Sequence, residues 1–272
     1  VRTDPAEAQR LAEAFLERQD NPEIACYAAQ AVMQRGQFAA ARQRLEQVLE
    51  KHPDCLQAYL LLAQLAQQDA ESAGKTSMEW LTAGVNANPN EPAAYLYRAQ
   101  YILQNRQAEE AAADIQKAES LPLQTRQQRM QMASVYLAAG RLEETRRLLE
   151  SLQAEESNDL SIWLLWAQWA VRLGSEEEMI RVAQEGMATL QPDPYDFLTT
   201  AAELFIQARQ WEQAESIIRQ MTERKEEPEL ILYLQGILAQ AKGDWPAAVS
   251  IWRKLSSASA GPDASIRLAQ AL

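Results

Sequence analysis

Ala73-Gly74-Lys75-Thr76 invites a chemical reading, because a glycine followed by Lys and Thr cradles phosphate when it joins a strand to a helix. Two features refuse it: the first glycine of such a loop would fall at Asp69, whose carboxylate repels phosphate, and the preceding residues read as helix. Glu109-Glu110, Glu143-Glu144 and Glu176-Glu177-Glu178 could serve as acid–base carboxylates. Each group, however, opens a predicted helix, where negative side chains stabilise the positive end of the dipole. The single histidine, His52, precedes Pro53 at a predicted helix end, where a cation complements the negative end. With one histidine and the separated Cys26 and Cys55, neither a zinc site of soft ligands nor a Ser-His-Asp or Cys-His arrangement can be assembled. The two cysteines give no disulfide framework and read as reduced thiols. No catalytic, cofactor-binding or metal-binding residue is assigned.

The elements that position these residues follow from a periodic turn. Gly36, Arg106, Gly140, Gly174, Arg209 and Gly243 recur at intervals of 70, 34, 34, 35 and 34 residues. A period near 34 predicts a helical solenoid, in which helix pairs too small to bury their own apolar face stack on one another. First helices are predicted to begin near Glu23, Leu56, Pro92, Arg126, Leu160, Tyr195 and Glu229. Second helices are predicted near Phe38, Lys75, Ala108, Leu142, Ser175, Trp211 and Trp245. Repeats then span 22–54, 55–90, 91–124, 125–158, 159–193, 194–228 and 229–262, with partial repeats at 1–21 and 263–272, in one continuous solenoid. Clusters such as Asp20-Asn21-Pro22, His52-Pro53-Asp54, Asn88-Pro89-Asn90 and Pro192-Asp193-Pro194 stop the second helices, since proline cannot continue a helix. A glycine in the tighter internal turn takes positive φ freely, so Arg106 and Arg209 either carry a cost or mark turns of another shape. Two extra residues in the second unit, around Gln67 to Ser77, predict a bulged loop.

Rows measured from the turn carry a resemblance to a known family. Seven residues before it stand Ala29, Ala63, Ala99, Ala133, Ala167, Ala202 and Gly236. Five after it stand Ala41, Ser77, Ala111, Thr145, Ala214 and Ala248, with Met179 departing. Nine after it runs the apolar row Leu45, Leu81, Ile115, Leu149, Ala183, Ile218 and Trp252. Bulky Tyr59, Tyr95, Trp163, Leu198 and Leu232 stand eleven before it, where Ala25 and Arg129 depart. Gly84 and Gly186 belong to a further small-residue row explained by close helix approach. The pattern resembles the tetratricopeptide-repeat family over nearly the whole chain. That resemblance implies an all-α, right-handed superhelix of about seven helix-turn-helix repeats that binds protein or peptide in its concave groove without catalysis.

Within the family the residues six and two before the turn face the groove. Here they are Gln30 and Gln34, Gln64 and Gln68, Gln100 and Gln104, Ser134 and Ala138, Gln168 and Arg172, Glu203 and Gln207, Ile237 and Ala241. Eight of these fourteen are glutamine, although the whole chain has 30 glutamines in 272 residues, so chance would supply one or two. Amides that both donate and accept suit the backbone of an extended peptide. The glutamine rows fade after the third unit, which favours the N-terminal three units as the groove. Arg172 is the only basic residue among the fourteen, which argues against the family's carboxylate clamp built from Lys, Asn and Arg. Trp163 and Trp166 read as core, whereas Trp169 is a candidate half-exposed anchor.

The formal charge of -12 disfavours nucleic acid and anionic lipid as main partners. No apolar stretch is long enough to cross a membrane, so this segment is expected to be soluble, in a bacterial-type cytoplasm or periplasm. The absent initiator Met and the helix-like ASIRLAQAL at the end suggest a piece of a longer protein. Two other roles stay open: a regulatory or substrate-recruiting arm of a larger enzyme or membrane-associated assembly protein, and self-assembly through rims such as Trp211 or Trp245.

Overall fold

The computed structural model describes residues 4–16, 19–190, 195–224 and 228–258. The chain divides into two compact units, Val1–Ala139 and Gly140–Leu272. Every regular element among the described residues is an α-helix. The first unit holds α1 (Pro5–Leu16), α2 (Pro22–Gln34), α3 (Phe38–Lys51), α4 (Leu56–Gln68), α5 (Ala70–Ala73), α6 (Ser77–Ala87), α7 (Pro92–Gln104), α8 (Ala108–Glu119) and α9 (Arg126–Ala138). The second holds α10 (Leu142–Glu155), α11 (Leu160–Leu173), α12 (Glu176–Thr189), α13 (Tyr195–Gln207), α14 (Trp211–Glu223), α15 (Pro228–Ala241) and α16 (Trp245–Ala258). The predicted helix starts lie within two residues of these. Pro192-Asp193-Pro194 and the partial repeat 263–272 lie outside the described residues.

The punctuating clusters start helices as well as stop them. The Asn21 side chain accepts from the Ile24 N–H at 3.0 Å, with Pro22 in the first turn where its missing N–H costs nothing. Asp159 does the same for Ser161 at 2.7 Å. The stretch before α6 corrects the expectation of a bulged loop. Residues 70–73, rich in good helix formers, make the single turn α5, and Gly74 reverses the chain at φ 72°. Thr76 and Glu79 then cap α6 reciprocally, and the Lys75 ammonium sits 4.4 Å from the Trp80 ring centroid. The Thr76 hydroxyl and the Lys75 ammonium thus have structural roles.

Gly36, Gly140, Gly174 and Gly243 all take φ between 73° and 77°. Arg106 (φ 61°) and Arg209 (φ 56°) hold the same left-handed conformation, so these two turns keep the common shape and bear its strain. A side chain in that region costs about 1–2 kcal/mol, while glycine loses about 0.5–1 kcal/mol more backbone entropy on folding. Arg106→Gly and Arg209→Gly are therefore each expected to stabilise by about 0.5–1 kcal/mol, read as a raised urea midpoint; a lowered midpoint would contradict the strain.

Packing follows the rows. The small residues seven before and five after the turn are buried, and Ser77, a polar member of the second row, donates to the Ala63 carbonyl of the first at 2.8 Å. The row nine after the turn is buried throughout. First helices also pack on one another, α2 on α4 and α7 on α9 in the first unit, and α11 on α13 and α13 on α15 in the second. The bulky row adds a polar tie that the sequence does not announce. Tyr59, Tyr95 and Trp163 donate to the carbonyls of Pro53, Pro89 and Ser157, each six residues earlier, at 2.9, 3.0 and 2.7 Å. Each tie fastens a helix to the loop that leads into it.

Trp169 is a correction: it is buried, donates to the Leu142 carbonyl at 2.9 Å and meets Trp166 edge-on with centroids 5.2 Å apart. The indole fills the gap between α10 and α11 and offers no exposed anchor. Trp211 is half-buried, and Trp245 is exposed.

Candidate functional site

Glutamine on the exposed face of a helix costs little in propensity and leaves its amide free for other partners. In the first unit α2, α4 and α7 bring Gln30, Gln64, Gln100 and Gln104 to the wall of one depression of about 310 Å³. Its floor is apolar, formed by Leu60, Leu61, Ala63 and Leu81. Four residues outside the two rows complete it: Gln57, Gln67, Tyr97 and Tyr101. Tyr97 and Tyr101 are one helical turn apart and pack part of their rings against the core. An i, i+4 pair of half-buried tyrosines beside glutamines was the available signal for them. Gln34 and Gln68, exposed near the ends of α2 and α4, do not line this depression.

A second depression of about 210 Å³ shares Gln57, Leu60 and Tyr97 and continues onto α9 through Gln127, Gln128 and Gln131. The glutamine lining thus reaches the fourth repeat from other positions, although Ser134 and Ala138 interrupt the two rows. Gln128 is already engaged: its Oε1 accepts from the Gln124 and Thr125 N–H groups, and its Nε2 donates to Glu91 at 2.7 Å. Gln131 differs, since its Nε2 is buried without a hydrogen-bond partner. Gln30, Gln57, Gln64, Gln67, Gln100 and Gln104 likewise have no side-chain hydrogen bond among the described residues. A buried amide without a partner leaves up to about 1–3 kcal/mol to be recovered by an incoming acceptor. No Lys, Arg, Asp or Glu lines the first depression.

In the second unit Gln168 and Arg172 are exposed on α11, and on α13 Glu203 is half-buried and Gln207 exposed. A larger depression of about 560 Å³ lies between α14 and α15. Its lining is charged, with Glu215 paired to Lys242 and with Arg219, Glu223 and Asp244 beside them, so its chemistry differs from the uncharged glutamine wall.

Four of the carboxylates considered for catalysis, and His52, are held in structural contacts. Glu143 and Glu144 pair with Arg147 and Arg141, Glu178 pairs with Arg181, and Glu110 accepts from Gln107. His52 ends α3 with Nε2 3.3 Å from the Asp20 carboxylate. Among the described residues no three His, Cys, Asp or Glu side chains group as a metal site, and no helix is long and apolar enough to cross a membrane.

The tetratricopeptide-repeat family model matches residues 2–65. No curated protein matches the sequence. Among solved structures, a tetratricopeptide repeat protein from Parabacteroides merdae is similar over 98% of this chain and 92% of its own, at 16% identity and a TM-score of 0.50. Yeast Tom70 is similar over 98% of this chain and 58% of its own, at 13% identity and a TM-score of 0.61. The human IFIT1 dimer with m7Gppp-AAAA is similar over 94% and 64%, at 15% identity and a TM-score of 0.65. The chain therefore spans less than two thirds of the length of the last two, and identities this low speak for the fold alone. Residues 2–65 carry the sequence signature of the tetratricopeptide repeat, and the chain has the fold of tetratricopeptide-repeat proteins.

Proposed function

We propose that the chain is a non-catalytic protein–protein interaction module whose first unit holds an extended peptide segment of a partner along the glutamine wall of α2, α4 and α7. The observation that carries this is the convergence of unpartnered amides, Gln30, Gln64, Gln100 and Gln104, over an apolar floor flanked by Tyr97 and Tyr101. Primary amides pair with both peptide N–H and C=O, and tyrosine rings supply apolar area at low entropic cost. The depression through Gln131 continues the same chemistry for a longer segment. Gln34 and Gln68 would extend the contact surface of the first unit, and Gln168, Arg172, Glu203 and Gln207 would offer polar contacts within the second. A similar fold holds m7Gppp-AAAA in human IFIT1. Here the net charge of -12 and a lining without cations favour peptide over nucleic acid.

The test uses peptides selected from a displayed random library on the immobilised chain. Replacing Gln30, Gln64 and Gln100 together by alanine is expected to weaken the selected peptides about 10-fold or more, with the melting temperature nearly unchanged. Equal affinity for the triple variant would remove the reading.

A further inference from the structure

Cys26 and Cys55, the only cysteines of the chain, stand 29 residues apart on different repeats. Cys26 lies in α2 and is 2% exposed, packed in the core that α2, α3 and α4 share. Cys55 is the N-cap residue of α4 and is half-buried. Because α2 and α4 pack together, the two sulfurs meet at 3.8 Å. Closing them to a bond of about 2.05 Å asks for side-chain rotation on two helices that are already neighbours.

We propose that Cys26 and Cys55 form a thiol–disulfide exchange pair, closed by a small-molecule disulfide such as glutathione disulfide into a reversible cross-link between the first two repeats. The environments divide the labour. Cys55 is half-buried at a helix N-terminus, and its thiol is shifted toward the thiolate by the hydrogen bond from Cys26, by the Ala58 N–H and by nearby His52, against the opposing effects of burial and of the Asp54 carboxylate. Cys26 is shifted the other way, by its bond to Cys55 and by burial, so it waits as a thiol. The Cys55 thiolate attacks one sulfur of glutathione disulfide, forming a mixed disulfide and expelling one glutathione thiolate. Cys26 then loses its proton to solvent and attacks the Cys55 sulfur, forming the Cys26–Cys55 bond and expelling the second glutathione. Two protein thiols are oxidised by two electrons, and one glutathione disulfide is reduced to two thiols. Excess reduced glutathione runs the sequence backwards. The bond would lock α2 to the start of α4 whether or not a peptide occupies the neighbouring groove.

The experiment treats the folded full chain with excess glutathione disulfide, alkylates free thiols and reads the intact mass. Wild type is expected to lose about 2 Da and both alkylation sites, and to recover them in reduced glutathione. Cys26→Ala is expected to halt at a glutathione adduct of about 305 Da on Cys55, and Cys55→Ser to stay unmodified, each checked for folding by circular dichroism. Wild type that keeps two alkylatable thiols, or that accumulates the Cys55 adduct with Cys26 free, overturns the proposal without reference to either variant.

Discussion

Replacing Trp252 by alanine is expected to cost about 3–5 kcal/mol, the range for emptying a fully buried aromatic site. Trp252 occupies the row where other repeats carry leucine, isoleucine or alanine, and it is 0% exposed. The oversized ring fits because the first helix of the same repeat carries glycine at the crossing: a Cβ built on Gly236 would stand 2.5 Å from Trp252 Cζ2 and 2.6 Å from Cη2. Tyr233 closes the other approach edge-on at 6.2 Å, and Ala248 and Leu255 bury the neighbourhood, so the ring has nowhere to retreat. Gly236→Ala should therefore also destabilise, by about 1–2 kcal/mol net, even though alanine returns about 1 kcal/mol of helix propensity. Repeat proteins lose stability locally first, so both effects are read in hydrogen exchange of α15 and α16 alongside urea unfolding. A Gly236→Ala variant as stable as wild type would contradict this packing.

Arg98→Ala is expected to cost about 3 kcal/mol, near the lower end for removing one partner of a buried ion pair. The Arg98 guanidinium on α7 grips Asp114 on α8 with two bonds, Nε to Oδ2 at 2.8 Å and the second to Oδ1 at 2.6 Å. Asp114 is only 5% exposed, so losing the arginine strands a carboxylate where water reaches it poorly. The hydrogen bond to Asp114 holds the Arg98 pKa above its ordinary value, outweighing desolvation, which agrees with a guanidinium stabilised in place. The double variant Arg98→Ala with Asp114→Ala should be more stable than Arg98→Ala alone, because the stranded charge is gone. A double variant less stable than that single one would show that the carboxylate is not the source of the loss.

Much of the fold was legible because one constraint, the left-handed turn every 34 residues or so, fixes helix starts, small crossings and core rows together. The turn also explains why Arg106 and Arg209 stand in for glycine: the reversal is demanded by the packing of each pair, and the local strain is overridden. Contacts that cross rows were not legible. Arg98 and Asp114 meet between two helices of a pair, and Cys26 and Cys55 between two repeats, at separations that are no multiple of the period. Trp169 misled because the row rule describes typical volume, whereas this helix pair leaves room for an indole and offers it a carbonyl. The site was half visible. Two rows gave Gln30, Gln64, Gln100 and Gln104, but Gln57, Gln67, Tyr97, Tyr101 and Gln131 lie off those rows and enter through the three-dimensional curvature of the wall.

The glutamine wall is tested most directly by following the side-chain amide resonances of the isotope-labelled chain while a selected peptide is added. Movement of Gln30, Gln64, Gln100 and Gln104 together, saturating at the same peptide concentration, is the predicted result. If these four stay still while residues of α14 and α15 respond, the peptide binds elsewhere and the first unit is not the groove.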